Sequence, residues 1–175
     1  MTGMLAVAAC ALLLTGCAQP SPVVTPHTTS TVKPLFASDA DALAAATKAY
    51  AAYLKIADQI FMDGGVNADR LTTVETGEQL KADLRGFASV EKDGIHSSGG
   101  TTFDQVKLQQ NDADAVVVYV CEDVSGVDVI DHEGKSLVRN DRPNRVLYEA
   151  TFDGSAGANT GLLLSLKRPW GDKSC

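Results

Sequence analysis

The sequence has no apolar run long enough to cross a bilayer. Its longest, Leu5–Leu14 (LAVAACALLL), has ten residues, about half of the roughly 20 that a membrane-spanning helix needs. It also lacks a basic cluster. Lys and Arg number 15 against 22 Asp and Glu, giving a formal net charge of −7, and so acidic a surface repels nucleic acid and anionic lipid headgroups. No metal-ligand spacing links His27, His96 and His132. His96 stands beside Ser97 and Ser98, but neighbours in sequence rarely reach the geometry of a catalytic Ser–His pair. Asp63–Asp69 (DGGVNAD) lacks the acid spacing and the closing Glu of a calcium loop. The stretches 97–100 (SSGG) and 154–161 (GSAGANTG) lack the Lys and the strand–loop–helix setting of a phosphate-binding loop. No cofactor or metal is expected.

What is present begins at the N-terminus. The Leu5–Leu14 run fits the apolar part of a secretory signal, about 7–15 residues. It ends in Leu14-Thr15-Gly16-Cys17, small residues before a cysteine. This resembles the bacterial lipobox. The resemblance implies a diacylglycerol on the Cys17 thiol, cleavage after Gly16, and acylation of the new amino terminus. Met1–Leu5 carries no Lys or Arg. Either the α-amino group is the only positive charge of the signal, or the natural start lies upstream; the completeness of the remaining pattern favours the second. One acyl chain binds a membrane only marginally, at about 0.8 kcal/mol per buried CH₂, so two or three chains are needed to hold the protein. The expected address is the outer face of the bacterial cytoplasmic membrane, with the lipid anchor as the membrane contact.

Residues 17–37 form the lipidated cysteine and a tether rich in Pro, Thr and Ser (AQPSPVVTPHTTSTVKPLFA), a composition that buries too little surface to offset its chain entropy. His27 lies here without a partner. Residues 38–175 remain as one domain, about 138 residues long, large enough for a core. Processing removes Cys10 and acylates Cys17. Cys121 and Cys175 are left, and two thiols outside the cytoplasm pair. Their bridge closes a loop of about 54 residues and adds roughly 4 kcal/mol on the chain-entropy estimate.

Ser38 opens a helix as N-cap, with Asp39 and Asp41 at its positive end. Its apolar stripe is Leu43, Ala46, Tyr50, Leu54, Ala57 and Phe61, and Gly64-Gly65 stops it. A helical turn follows at Asn67–Val74, capped by Asn67. Thr76–Val90 is a second helix, with Leu80, Leu84 and Phe87 on one face and Thr76 with Gln79 as a capping box. Beyond Gly94 the period changes to alternation. Thr102–Gln109, Asp114–Glu122, Val127–Ile130, Lys135–Val138, Arg145–Phe152 and Leu162–Leu166 are expected strands. Asp114–Glu122 (DAVVVYVCE) is apolar on both faces, so it belongs at the centre, covered on both sides. Helices first and strands afterwards predict an α+β fold, with the helices packed on an antiparallel sheet.

This order, with Cys121, Asp123 and Ser125 in CEDVS and Cys175 near the C-terminus, resembles small actinobacterial lipoproteins with an NTF2-like (cystatin-like cone) domain. The resemblance covers Ser38–Cys175 and implies a curved sheet enclosing a pocket. It departs at Trp170, which follows Pro169, where such domains often carry a Trp inside the last strand. Expected pocket residues are Tyr50, Tyr53, Phe87, Tyr119 and Asp123. Asp123 is either a general base raised by apolar walls or a turn residue bonded to nearby amides, and the second fits its position after a strand. The expected function is a membrane-anchored, non-catalytic binding or accessory domain, for a hydrophobic small molecule or an envelope protein. The alternative is a cone-pocket enzyme (isomerase, dehydratase or hydrolase) using Asp123, His96 or His132. An envelope-exclusion lipoprotein is compatible with the small size.

Overall fold

The structure is a computed structural model, and it describes residues 33–171 and Cys175. The expected signal segment 1–16, Cys17, His27 and most of the expected tether lie outside the described residues. No helix among the described residues is long and apolar enough to cross a membrane.

Two helices, α1 (Asp39–Met62) and α2 (Gly77–Asp93), precede six strands. A 3₁₀ turn, Ala68–Thr73, links the helices. The Ser38 hydroxyl caps α1 by accepting from the Asp41 amide at 3.1 Å. The second capping expectation fails: Thr76 makes no side-chain cap bond. Asn67 likewise adopts the left-handed conformation and caps nothing. Gly65, between the helices, has φ +87°, and a Cβ there would run into the Phe87 carbonyl oxygen. Only glycine allows α2 so close to that turn.

Strands β2 (Thr102–Asn111), β3 (Ala115–Asp123), β5 (Arg145–Gly154) and β6 (Leu162–Pro169) form one antiparallel sheet in the order β2-β3-β5-β6. Strands β1 (His96–Ser98) and β4 (Asp128–Ile130) pair separately. The central β3–β5 register is unbroken from Ala115↔Asp153 to Asp123↔Arg145. The outer pairings are broken by bulges, two in β2–β3 and one in β5–β6, and bulges bend and twist strands. Helices on one face of a curved antiparallel sheet make the α+β cone expected from the sequence.

The core lies between α1 and the sheet. Ala42, Ala46 and Ala49 let α1 approach closely, and Tyr50, Val116, Val118, Val120, Ala150, Phe152, Leu162 and Leu164 fill the space. Burying each large apolar side chain contributes about 1.5–3 kcal/mol. Leu35 and Phe36, which composition assigns to the tether, are part of this body. The Leu35 amide donates to the Asp112 carbonyl at 2.7 Å, and the Asn111 side chain brackets Phe36 through both its amide and carbonyl.

Three strand expectations are corrected. Strand β3 is central but covered by helices on one face only; on the other, Val117 and Tyr119 are half-buried, with the Trp170 ring 4.7 Å from that of Tyr119. Lys135–Val138 forms no strand, only an isolated Ser136–Ile130 bridge, because Asp131 and Asp128 draw that segment into turns by accepting from the Lys135 amide and the Ser136 hydroxyl. The 97–100 stretch, expected as a loop, begins within β1, where Ser97 pairs with Val129 and is buried.

Candidate functional site

Strand parity decides what enters the space between helices and sheet. Val116, Val118 and Val120 face α1, so Glu122 does too, while Tyr119, Cys121 and Asp123 face outward. On β6, Leu162 and Leu164 face inward. The β5–β6 register then slips, with Phe152 opposite Leu164 but Thr151 opposite Leu166. Ser165 is the extra residue. Leu166 therefore turns out to solvent and Lys167, opposite the buried Ala150, turns in.

Glu122 and Lys167 meet at the inner end of a cleft between α1, α2 and the sheet. The Lys167 Nζ donates to Glu122 Oε1 at 2.8 Å, and the Tyr50 hydroxyl donates to the same oxygen at 2.6 Å. The Lys167 ammonium lies 4.5 Å from the centre of the Tyr148 ring and 5.2 Å from that of Tyr53, close enough for cation–π attraction. Gln79 fixes the strand carrying it, its Oε1 accepting from the Lys167 amide at 2.7 Å. This is what Gln79 does instead of closing a capping box. Burial disfavours the Lys167 charge, but Tyr53, the Glu122 carboxylate and Tyr148 around it outweigh burial and hold the amine protonated. Burial and the Glu122 charge together keep the Tyr50 phenol neutral far above its ordinary range.

Glu75 lies behind this pair. Residues 74–76 run alongside β6: the Leu164 amide donates to the Val74 carbonyl and the Thr76 amide to the Leu164 carbonyl, both at 2.9 Å. This carries the Glu75 side chain inward, to 1% exposure. Neither of its carboxyl oxygens has a hydrogen-bond partner among the described residues. Burial, with the Asp83 carboxylate nearby, pushes its pKa up to about 9 from the ordinary 4.5. The folded protein thus keeps a proton that the unfolded chain releases near pH 4.5. Stability is fully retained below that pH and falls as pH rises towards 9, by about 1.4 kcal/mol per pH unit from this group. Urea titrations between pH 5 and 8.5 will show this decline, and Glu75→Gln will flatten it; an unchanged slope in the variant would assign the decline elsewhere.

The cleft has a volume of about 310 Å³. Leu54, Ala57, Phe61, Phe87 and Val90 form its apolar wall, Gly86 opens its α2 side, and Asp58, Asp83, Glu122 and Lys167 supply its charged groups. Phe61 and Phe87 meet edge to face, with ring centres 6.2 Å apart. Asp58 is occupied, accepting from the Thr101 amide at 2.8 Å and hydroxyl at 3.0 Å.

Of the expected pocket residues, Tyr53 and Phe87 line the cleft. Tyr50 sits beneath it, fully buried, and bonds its floor. Tyr119 is on the opposite face of the sheet, against Trp170. Asp123 is on that face as well. Its Oδ1 accepts from the Ser125 amide at 2.9 Å and its Oδ2 from Arg145 at 3.1 Å, and these two partners, Ser125 first, hold its carboxyl below the usual range. It is the turn residue of the two readings. His96 is half-buried in β1 and His132 is exposed. Neither lines the cleft, so no group of the expected catalytic set can reach a molecule held there. No cluster of three or more metal-ligating side chains occurs among the described residues. Cys121 and Cys175 form a disulfide, as expected.

No known family and no curated protein matches the sequence. Solved structures do superpose on the chain. The intermembrane space region of the chloroplast protein ARC6 superposes with a TM-score of 0.54 at 14% identity, covering 73% of this chain and 95% of that one. A protein from Catenulispora acidiphila superposes at 0.47 with 12% identity, covering 75% and 91%. Aln2 from a Streptomyces species superposes at 0.44 with 19% identity, covering 72% and 87%. The likeness to the first is one of fold alone: helices layered on an antiparallel sheet.

Proposed function

We propose that this chain is a membrane-tethered, extracytoplasmic binding domain that takes an apolar small molecule into the cleft between α1, α2 and the sheet. One observation carries the reading: an open space of about 310 Å³ with an aliphatic and aromatic wall, closed at its inner end by a buried ion pair. Ligand sites are typically apolar concavities with a few convergent polar groups. The Leu14–Cys17 pattern supports the tether, and the Cys121–Cys175 disulfide supports a compartment without reducing thiols.

Gly86 supplies the test. Gly86 lines the cleft and a Cβ there meets nothing within 4 Å, so Gly86→Trp sets a bulky ring at its α2 side. The neutral fluorophore N-phenyl-1-naphthylamine is expected to brighten on the wild-type domain, and its affinity to fall at least tenfold in Gly86→Trp. Equal binding by both, or none by either, would reject the cleft. In cells, Cys17→Ser is expected to move the protein from the detergent phase to the aqueous phase; unchanged partitioning would reject the tether.

A further inference from the structure

We infer that the molecule taken by this cleft carries a positive charge: an apolar body ending in an ammonium group. The inference rests on the cleft-binding reading above and adds the chemical class of the occupant. It follows from which polar atoms in the cleft are still free. Lys167 is the one cation of the described lining, and its ammonium is held by Glu122 and faces the Tyr53 and Tyr148 rings. The backbone amide and hydroxyl of Thr101 both donate to Asp58. The single cation of the lining is thus already paired with Glu122, and a ligand carboxylate or phosphate would meet three carboxyl groups against it.

The acceptors are different. Glu122 receives both of its hydrogen bonds, from Tyr50 and Lys167, on Oε1. Its Oε2 takes none among the described residues, although the side chain is only 5% exposed and forms part of the cleft lining. A nearly buried carboxylate that lines a cavity and has one oxygen unused can accept from a donor that something else supplies. Asp83 on the facing helix adds a second carboxylate. The Tyr53 hydroxyl reaches it only at a long 3.5 Å. Counted formally, Asp58, Asp83 and Glu122 outnumber Lys167 three to one in the lining. A cation entering this space is drawn by charge and can donate to Glu122 Oε2 in a charge-assisted bond. The Phe61 and Phe87 rings add a surface on which both an alkyl chain and a cation rest favourably.

Size sets the scale. The cleft holds roughly ten waters at about 30 Å³ each, so a single ring with a short chain fits and a long-chain lipid does not fit whole. The test uses three compounds with one body: 4-phenylbutylamine, charged at neutral pH; 4-phenylbutanol, neutral; and 4-phenylbutyrate, an anion. Competition against N-phenyl-1-naphthylamine at pH 7 and low salt will rank them. The amine is expected to bind at least tenfold tighter than the alcohol, and the acid weakest. Glu122→Gln is expected to erase most of the amine's advantage over the alcohol. Asp83→Asn, which touches no buried ion pair, is expected to reduce it several-fold and serves if Glu122→Gln does not fold. An alcohol equal to or better than the amine would overturn the cationic occupant and leave the apolar cleft standing. Failure of all three compounds and of the fluorophore would overturn both.

Discussion

Replacing Lys167 by methionine will destabilise the domain by roughly 3 kcal/mol, at the lower end of what breaking a buried ion pair costs. The loss does not equal the strength of one salt bridge. Methionine keeps the volume and the contact with the Tyr53 and Tyr148 rings, but it leaves the Glu122 carboxylate with Tyr50 as its one donor among the described residues, at 4% exposure. The cleft gives water partial access to that charge, which places the effect at the lower end. The double variant Glu122→Gln, Lys167→Met removes both charges and retains an acceptor for the Tyr50 hydroxyl, so it should recover most of the loss. Guanidinium titrations of the wild type, both single variants and the double variant form a closed cycle, and a coupling below about 0.5 kcal/mol would mean that the pair is solvated rather than buried.

Removing the Cys121–Cys175 disulfide will cost about as much, roughly 4 kcal/mol on the chain-entropy estimate for its separation of 54 residues. Cys121 lies on the outward face of the central strand β3, fully buried. The bridge therefore fastens Cys175 to the sheet face that no helix covers among the described residues. Trp170 lies on the same face, packed on Tyr119, and provides the signal. Cys121→Ala with Cys175→Ala should lower the unfolding midpoint and shift Trp170 emission to the red as its ring becomes wetter. A midpoint that reductant does not move would show that the unfolded chain gains no freedom when the bridge opens.

The elements were largely legible because they rest on local signals. Ser38, Asp39 and Asp41 mark the start of α1, Gly64 and Gly65 its end, and the valines of β3 its central place. The site was harder to read, for two specific reasons. The CED sequence offers two adjacent acids, and attention to Asp123 came from its position in the C-x-D-x-S pattern. The alternation of Val116, Val118 and Val120 already assigned Glu122, not Asp123, to the helix-facing side, so this residue was available in the sequence. Lys167 was not. Alternation from Leu162 and Leu164 puts Leu166 inside and Lys167 in solvent, and only the pairing with β5 reveals the extra residue. Glu75 was hidden in the same way. Its burial comes from a parallel contact with Leu164 made far away in the chain, which no local pattern encodes. Gln79 carried a true helix-start signal, yet its side chain was claimed by the Lys167 amide.

The bulge at Ser165 gives this architecture an unusual evolutionary lever. Closing the bulge at unchanged length would set Leu166 opposite Ala150, at the floor of the cleft, and send Lys167 to the surface, whereas deleting the Ser165 codon would leave Lys167 facing in. A receptacle holding this cation and one without it are thus separated by a one-residue slip in strand pairing rather than by a series of substitutions. Homologues that pair these two strands without the slip should differ in what they hold.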